Sequence, residues 1–285
     1  MAAANPTAGP RSFLTYRSFR HLKIMLVGLT ACAAVYWWYD PIGGRNGGTW
    51  VGWGLGTLAF VLMLWLLYFG VRKRDYFSSS SSLQGWLSAH VYLGLSLLML
   101  VPLHNGFQFG WNFHNLAFAI LALVVVSGIV GVVMYARVPS AMTRNRRGQK
   151  VDSLYEQVAD LDSEISSVAL GLPDFYAKSA EIAINQTTIG GGWIRQFSAR
   201  DPQCGTARAI RQIQEHQGEE IDDSQRVNVA RVVELLGRKS ALLQRIRLDV
   251  RYRALMDVWL FFHIPLAVAS VVAVFTHIVI VFFYW

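Results

Sequence analysis

The sequence predicts an all-α membrane protein with about five transmembrane helices and a helical cytoplasmic insert before the last span. Three observations predict it. Of 285 residues, 53% are hydrophobic and only 15% charged, with 10 tryptophans, which is a membrane-protein composition. Five stretches are long and apolar enough to cross a hydrocarbon core of about 30 Å. The basic residues gather at alternate ends of those stretches, as in the positive-inside pattern.

Taken in order, residues 1–22 form a basic cytoplasmic lead with Arg11, Arg17 and Arg20. The first span, Lys23–Tyr39, is short and ends in Tyr36, Trp37, Trp38 and Tyr39, the composition of an interfacial aromatic belt. A Gly-rich loop, 41–49, leads to the second span, Trp50–Val71. Arg72, Lys73 and Arg74 follow, and the 75–82 linker ends in five serines, Ser78 to Ser82, a flexible composition. The third and fourth spans are Leu83–Leu103 and His114–Ala136. Between them, the uncharged 105–113 loop holds four aromatics, fit to lie against headgroups or to cap whatever the outer end of the bundle holds.

Residues 137–254 read as a cytoplasmic helical domain. Within it, 140–254 carries 15 of the 18 acidic residues. Leu154, Val158, Leu161 and Ile165 form one apolar stripe at helical spacing. Val229, Val232, Val233, Leu236, Leu243 and Ile246 form another. Neither Gly nor Pro interrupts the chain between Lys239 and His263, so a long helix should run into the last span, Leu255–Trp285, with an antiparallel partner near 150–170. The link between the two stripes reads as irregular, because it holds Pro173, Gly190–Gly192 and Pro202.

The net charge of +8 does not call for nucleic acid. The basic residues flank the spans, and the opposite loops hold only Arg45. The bias places the N-terminus and residues 137–254 in the cytoplasm and the C-terminus outside, in a bilayer read as a bacterial inner (plasma) membrane.

The histidines carry the chemistry. His90 and His104 lie 14 residues apart in the third span, and His263 and His277 lie 14 apart in the last. Fourteen residues are almost four turns, so each pair shares a helix face, separated by roughly 21 Å along the axis. One histidine of each pair therefore belongs near each membrane surface. Ionisable residues within spans are functional candidates, and imidazole is a good axial ligand for haem iron. The expectation is a haem-binding bundle with two haem b groups. His90 and His263 would ligate the inner haem, and His104 and His277 the outer one. Gly94, Leu97 and Val101 share the ligand face of the first helix, and Ala267, Ser270 and Val274 that of the second. Cys32 and Cys204 stand alone. Without Cys-x-x-Cys-His there is no covalent haem, and two distant cysteines cannot hold an iron–sulfur cluster.

His114, at the outer start of the fourth span, is a candidate for a quinone or accessory site. His21 and His216 lie in polar sequence and read as ordinary histidines. Arg72, Lys73, Arg251 and Arg253 fit either haem propionates or membrane anchoring. Gly128 and Gly131 allow close approach of a helix or a haem edge.

Two helices bearing paired histidines with 13 intervening residues resemble the haem core of dihaem b cytochromes. Those of quinol–cytochrome c oxidoreductases, ferric reductases and NADPH oxidases share that spacing. The resemblance covers residues 83–136 and 255–285. The chain lacks a proline-rich quinol motif and a C-terminal flavin domain, and is closer in style to the membrane subunits of formate dehydrogenases and nitrate reductases. The resemblance implies transmembrane electron transfer as the membrane subunit of an oxidoreductase. Partner subunits, soluble electron carriers or a quinone would serve as donor and acceptor, and residues 140–254 would dock a cytoplasmic redox subunit. The alternatives are a stand-alone transmembrane ferric or quinone reductase and a non-redox transporter or scaffold.

Overall fold

The computed structural model describes residues 13–72, 83–216 and 222–283. Arg11, Lys73, Arg74 and the serines Ser78–Ser82 lie outside the described residues. Among those described, every regular element is helical. A 3-10 turn, Phe13–Thr15, precedes α1 (Arg20–Trp38), α2 (Trp50–Arg72), α3 (Leu83–Asn105), α4 (Phe113–Asn145) and α5 (Val151–Ala169). Then follow α6 (Asp174–Asn185), α7 (Trp193–Ser198), α8 (Gly205–Glu215) and α9 (Asp223–Phe283). Five of them, α1 to α4 and α9, are long and apolar enough to cross a membrane. Their apolar side chains are widely exposed: Val27 by 70%, Val272 by 58% and Phe275 by 59%. Exposure on that scale suits lipid and not water. The chain is an all-α integral membrane protein.

It divides into two compact units. One comprises Met1–Ala136 with Trp259–Trp285, and the other Arg137–Val258.

In the membrane unit, α3 is the innermost helix. Leu97, Leu100 and Leu103 are buried against Leu55, Ala59 and Met63 of α2, Leu121 of α4 and Tyr36 of α1. Val271 and Val274 of α9 pack against the same cluster. Thr49 caps α2, its hydroxyl accepting from Gly52 N at 3.1 Å. Arg45 ties down the α1–α2 loop. It donates to Tyr39 O and Trp37 O at 2.9 and 3.0 Å, and its guanidinium lies over the Tyr36 ring. The α3–α4 loop closes on that loop at Gly106, whose φ is +68°. A Cβ there would collide with the Arg45 carbonyl, so no other residue fits.

The second unit packs α5, α6 and α8 against the N-terminal part of α9. Ile165 shares a core with Val232 and Leu235, and Leu154 shares one with Leu243 and Ile246, so α5 and α9 run antiparallel. The irregular link expected between them is wrong. It contains α6 and α8, whose Tyr176, Ala180, Ala183, Ala209 and Ile213 complete the core. Pro173 immediately precedes α6 and Pro202 lies just before α8, so these breakers punctuate helices and do not replace them.

Lys239 is fully buried in this unit. Its ammonium reaches Asp162 Oδ1 at 2.5 Å and Ala183 O at 2.6 Å. Removing one partner of such a pair strands the other in low dielectric. Lys239→Ala is expected to cost about 3 kcal/mol, near the low end for a buried pair, because Asp162 retains 23% exposure. Lys239→Met, which keeps the packing, should cost less. Urea unfolding of the full chain, followed by circular dichroism, compares the two.

Asp201 is also buried. Burial alone would raise its carboxyl, but the Thr188 hydroxyl at 2.5 Å, the Arg195 guanidinium and the Gln203 amide hold it below the usual carboxylate range. A depressed folded value adds stability that is present above the unfolded value of about 3.9 and is lost as pH falls through the folded one. Thr188→Val should therefore move the acid unfolding of this unit to higher pH. A pH titration of helicity will show the shift, and an unchanged midpoint would contradict it.

Candidate functional site

All four span histidines face the interior of the membrane unit. His104 and His277 have ring centroids 6.2 Å apart and ring planes at 86°. His90 and His263 are close enough to interact electrostatically. His90 thus sits with His263 and His104 with His277, and α3 and the membrane part of α9 run in the same direction.

Three of the four rings are oriented through their second nitrogen. His104 Nδ1 lies 2.7 Å from Gly52 O on the first turn of α2. A carbonyl only accepts, so Nδ1 carries the proton and Nε2 keeps its lone pair. Fourteen residues further along α2, the Leu66 backbone approaches His90, although the buried Nδ1 of His90 makes no well-formed hydrogen bond. The spacing on α2 thus mirrors the spacing on α3, as two antiparallel helices of equal rise require.

Helix α4 serves α9 in the same way. Ser127 Oγ lies 2.7 Å from His263 Nδ1 and 2.8 Å from Val124 O. The single hydroxyl proton goes to the Val124 carbonyl. Toward His263 the serine therefore accepts, which again protonates Nδ1 and leaves Nε2 free. His277 Nδ1 hydrogen-bonds His114 Nδ1, on the first turn of α4.

Glycines make room for the rings. A Cβ at Gly56 would lie 2.7 Å from Cε1 and Nδ1 of His104, and one at Gly128 would touch Cε1 of His263 at 3.6 Å. Gly131 faces the indole of Trp259. The two glycines of α4 are therefore seats for side chains of α9. On the shared face of α9, Ser270 is buried, 1% exposed, with a hydroxyl that has no partner.

Other candidates fall elsewhere. His21 stacks on Tyr16, and His216 stacks on Phe175 at 4.0 Å. Arg253 reaches Asp249 at 3.4 Å. The side chain of Arg72 is not described. Sequence reasoning missed Gly52, Gly56, Ser127 and Trp259, whose residue types are ordinary in a span.

Magnitudes separate what each histidine can do. An iron held between two imidazoles, about 2 Å from each nitrogen, sets the facing nitrogens about 4 Å apart and the ring centres roughly 6 Å apart. The 6.2 Å between His104 and His277 suits that. The 4.5 Å between His114 and His277, bridged by a direct hydrogen bond, does not. His114 thus acts on the second nitrogen of His277 and does not oppose it across a metal. Among the described residues, no three His, Cys, Asp or Glu side chains converge to hold a metal by themselves. A haem iron needs only two from the protein.

No family model, curated protein or solved structure matches this chain. The histidines and their neighbours are what its function can be read from.

Because Gly56 is packed under the His104 ring, Gly56→Ala should overpack the site and destabilise the membrane unit by about 1–3 kcal/mol. Gly94→Ala is the control, since a Cβ there meets only Leu66 Cδ1 at 4.0 Å. Thermal unfolding in detergent that ranked the two equally would show that the ring is not held there.

Proposed function

We propose that the chain is a dihaem cytochrome b that carries electrons across the lipid bilayer. The observation that supports this most directly is the state of the ring nitrogens. His104 and His263 each commit Nδ1–H to a neighbouring helix and keep an unprotonated Nε2, the form in which imidazole ligates iron. The separation of His104 and His277 suits a pair of axial ligands.

In this reading His90 and His263 would hold one haem b, and His104 and His277 the other. The haems, when bound, would supply two one-electron carriers about 21 Å apart along the helix axis. Both axial positions would be filled, so the chain's own task is ligation, spacing and exclusion of water. Leu97, Leu100, Val271 and Val274 keep the level between the two pairs apolar. The Gly52 carbonyl and the Ser127 hydroxyl raise the donor strength of the ligands they touch.

The charge bias supports a cytoplasmic N-terminus and an outer C-terminus, and the setting we propose is a bacterial plasma membrane. Residues 140–254 are close to charge-balanced and are not needed for ligation, which supports a docking role toward a cytoplasmic redox subunit. Donor and acceptor would be such subunits, soluble electron carriers or a quinone.

Purified protein is expected to contain two non-covalent b haems per chain by pyridine haemochrome assay. His90→Ala and His263→Ala should remove one and the same haem, and His104→Ala and His277→Ala the other. No haem, a single haem, or crossed pairing such as His90 with His277 would defeat the proposal.

A further inference from the structure

We infer that Trp259 is the positioning residue that fixes the ring plane of His263, and that Gly131 is the opening that admits it. The inference rests on the dihaem reading for its consequence but on packing for its geometry.

The hydrogen bond between His263 Nδ1 and Ser127 holds one edge of the imidazole. That single contact leaves play in the torsion about Cβ–Cγ, which is broad for histidine. Trp259 stands four residues earlier on the same face of α9. Its indole lies against the imidazole with centroids 5.1 Å apart and planes 23° apart. A stacked partner of that size blocks that rotation.

The indole is itself held from three sides. Its Nε1–H donates to Ser127 O at 2.7 Å. Tyr135 meets it edge-on at 5.8 Å and 81°. Gly131 lies beneath its six-membered ring, where a built Cβ would overlap Cζ2. Ser127 therefore anchors both residues, the histidine through its hydroxyl and the tryptophan through its carbonyl. The other level is built differently. There His104 meets a backbone carbonyl and the glycines Gly47 and Gly56.

The plane of an axial imidazole sets the splitting of the iron d orbitals, which low-temperature electron paramagnetic resonance reads as the largest g value of a low-spin ferric haem. The full-length holoprotein should give two such signals. His263→Ala identifies which belongs to its level by abolishing it. Trp259→Phe and Gly131→Ala should each shift that one signal and leave the other in place. Loss of that haem alone in either variant also supports the assignment. Two unmoved signals, or equal changes in both, overturn it.

A second readout needs no haem. In the full chain prepared without haem and labelled with indole ¹⁵N, the Trp259 resonance is the one missing from Trp259→Phe. It should move in His263→Ala, through loss of the ring current, and in Gly131→Ala. A wild-type protein that binds no haem would defeat the dihaem reading while leaving this measurement to decide the stack. An indole resonance unmoved in both variants would overturn the positioning role itself.

Discussion

A histidine in hydrocarbon has two nitrogens to satisfy, and no water with which to do it. The membrane unit is arranged around that constraint. Helices α3 and α9 bring the histidines, while α2 and α4 supply hydrogen-bond partners to the second nitrogens of His104, His263 and His277. Each supplying helix must run antiparallel to the helix it serves, in register with it along its length. At one end of the bundle the α1–α2 loop and the α3–α4 loop close on each other at Gly106, which holds that register there. Packing of Leu97 and Leu100 then fills the level between the two histidine layers.

The second unit meets a related demand with different means. A lysine in its core would be costly alone, and it is retained between a carboxylate and a helix-end carbonyl. Asp201 likewise stays buried because a threonine hydroxyl, a backbone amide and an arginine surround it. In both units a neighbouring segment presents the complementary atom to these buried groups.

Much of this was legible in the amino-acid sequence, and the reasons differ by feature. Apolar runs of span length and the unbroken stretch before His263 announce helices directly. The apolar stripes on α5 and α9 announced the face they share. The segment between them was misread because α6 and α8 are short and stand beside Pro173, Gly190–Gly192 and Pro202. Prolines beside a helix look the same as prolines within a loop. At the site, the histidines stood out through their repeated spacing. Their anchors did not. A backbone carbonyl at Gly52 leaves no trace in residue type, and a serine or glycine in a span has many ordinary uses. Trp259 is one of 10 tryptophans, and only Gly131 beneath it sets it apart.

The two supplying helices differ in what a change of genetic code can reach. What α2 offers His104 is the main chain itself, which every residue type possesses. Substitution at that position can crowd the carbonyl but cannot delete it. What α4 offers α9 are side chains, the hydroxyl of Ser127 and the ring of His114, and a single codon change can exchange either for another acceptor or for none. One half of the bundle is therefore buffered against variation in how it holds its histidines, and the other is open to it. Divergence among descendants of this chain would be free to retune the α9 histidines through α4 while the α3 histidines stayed as they are.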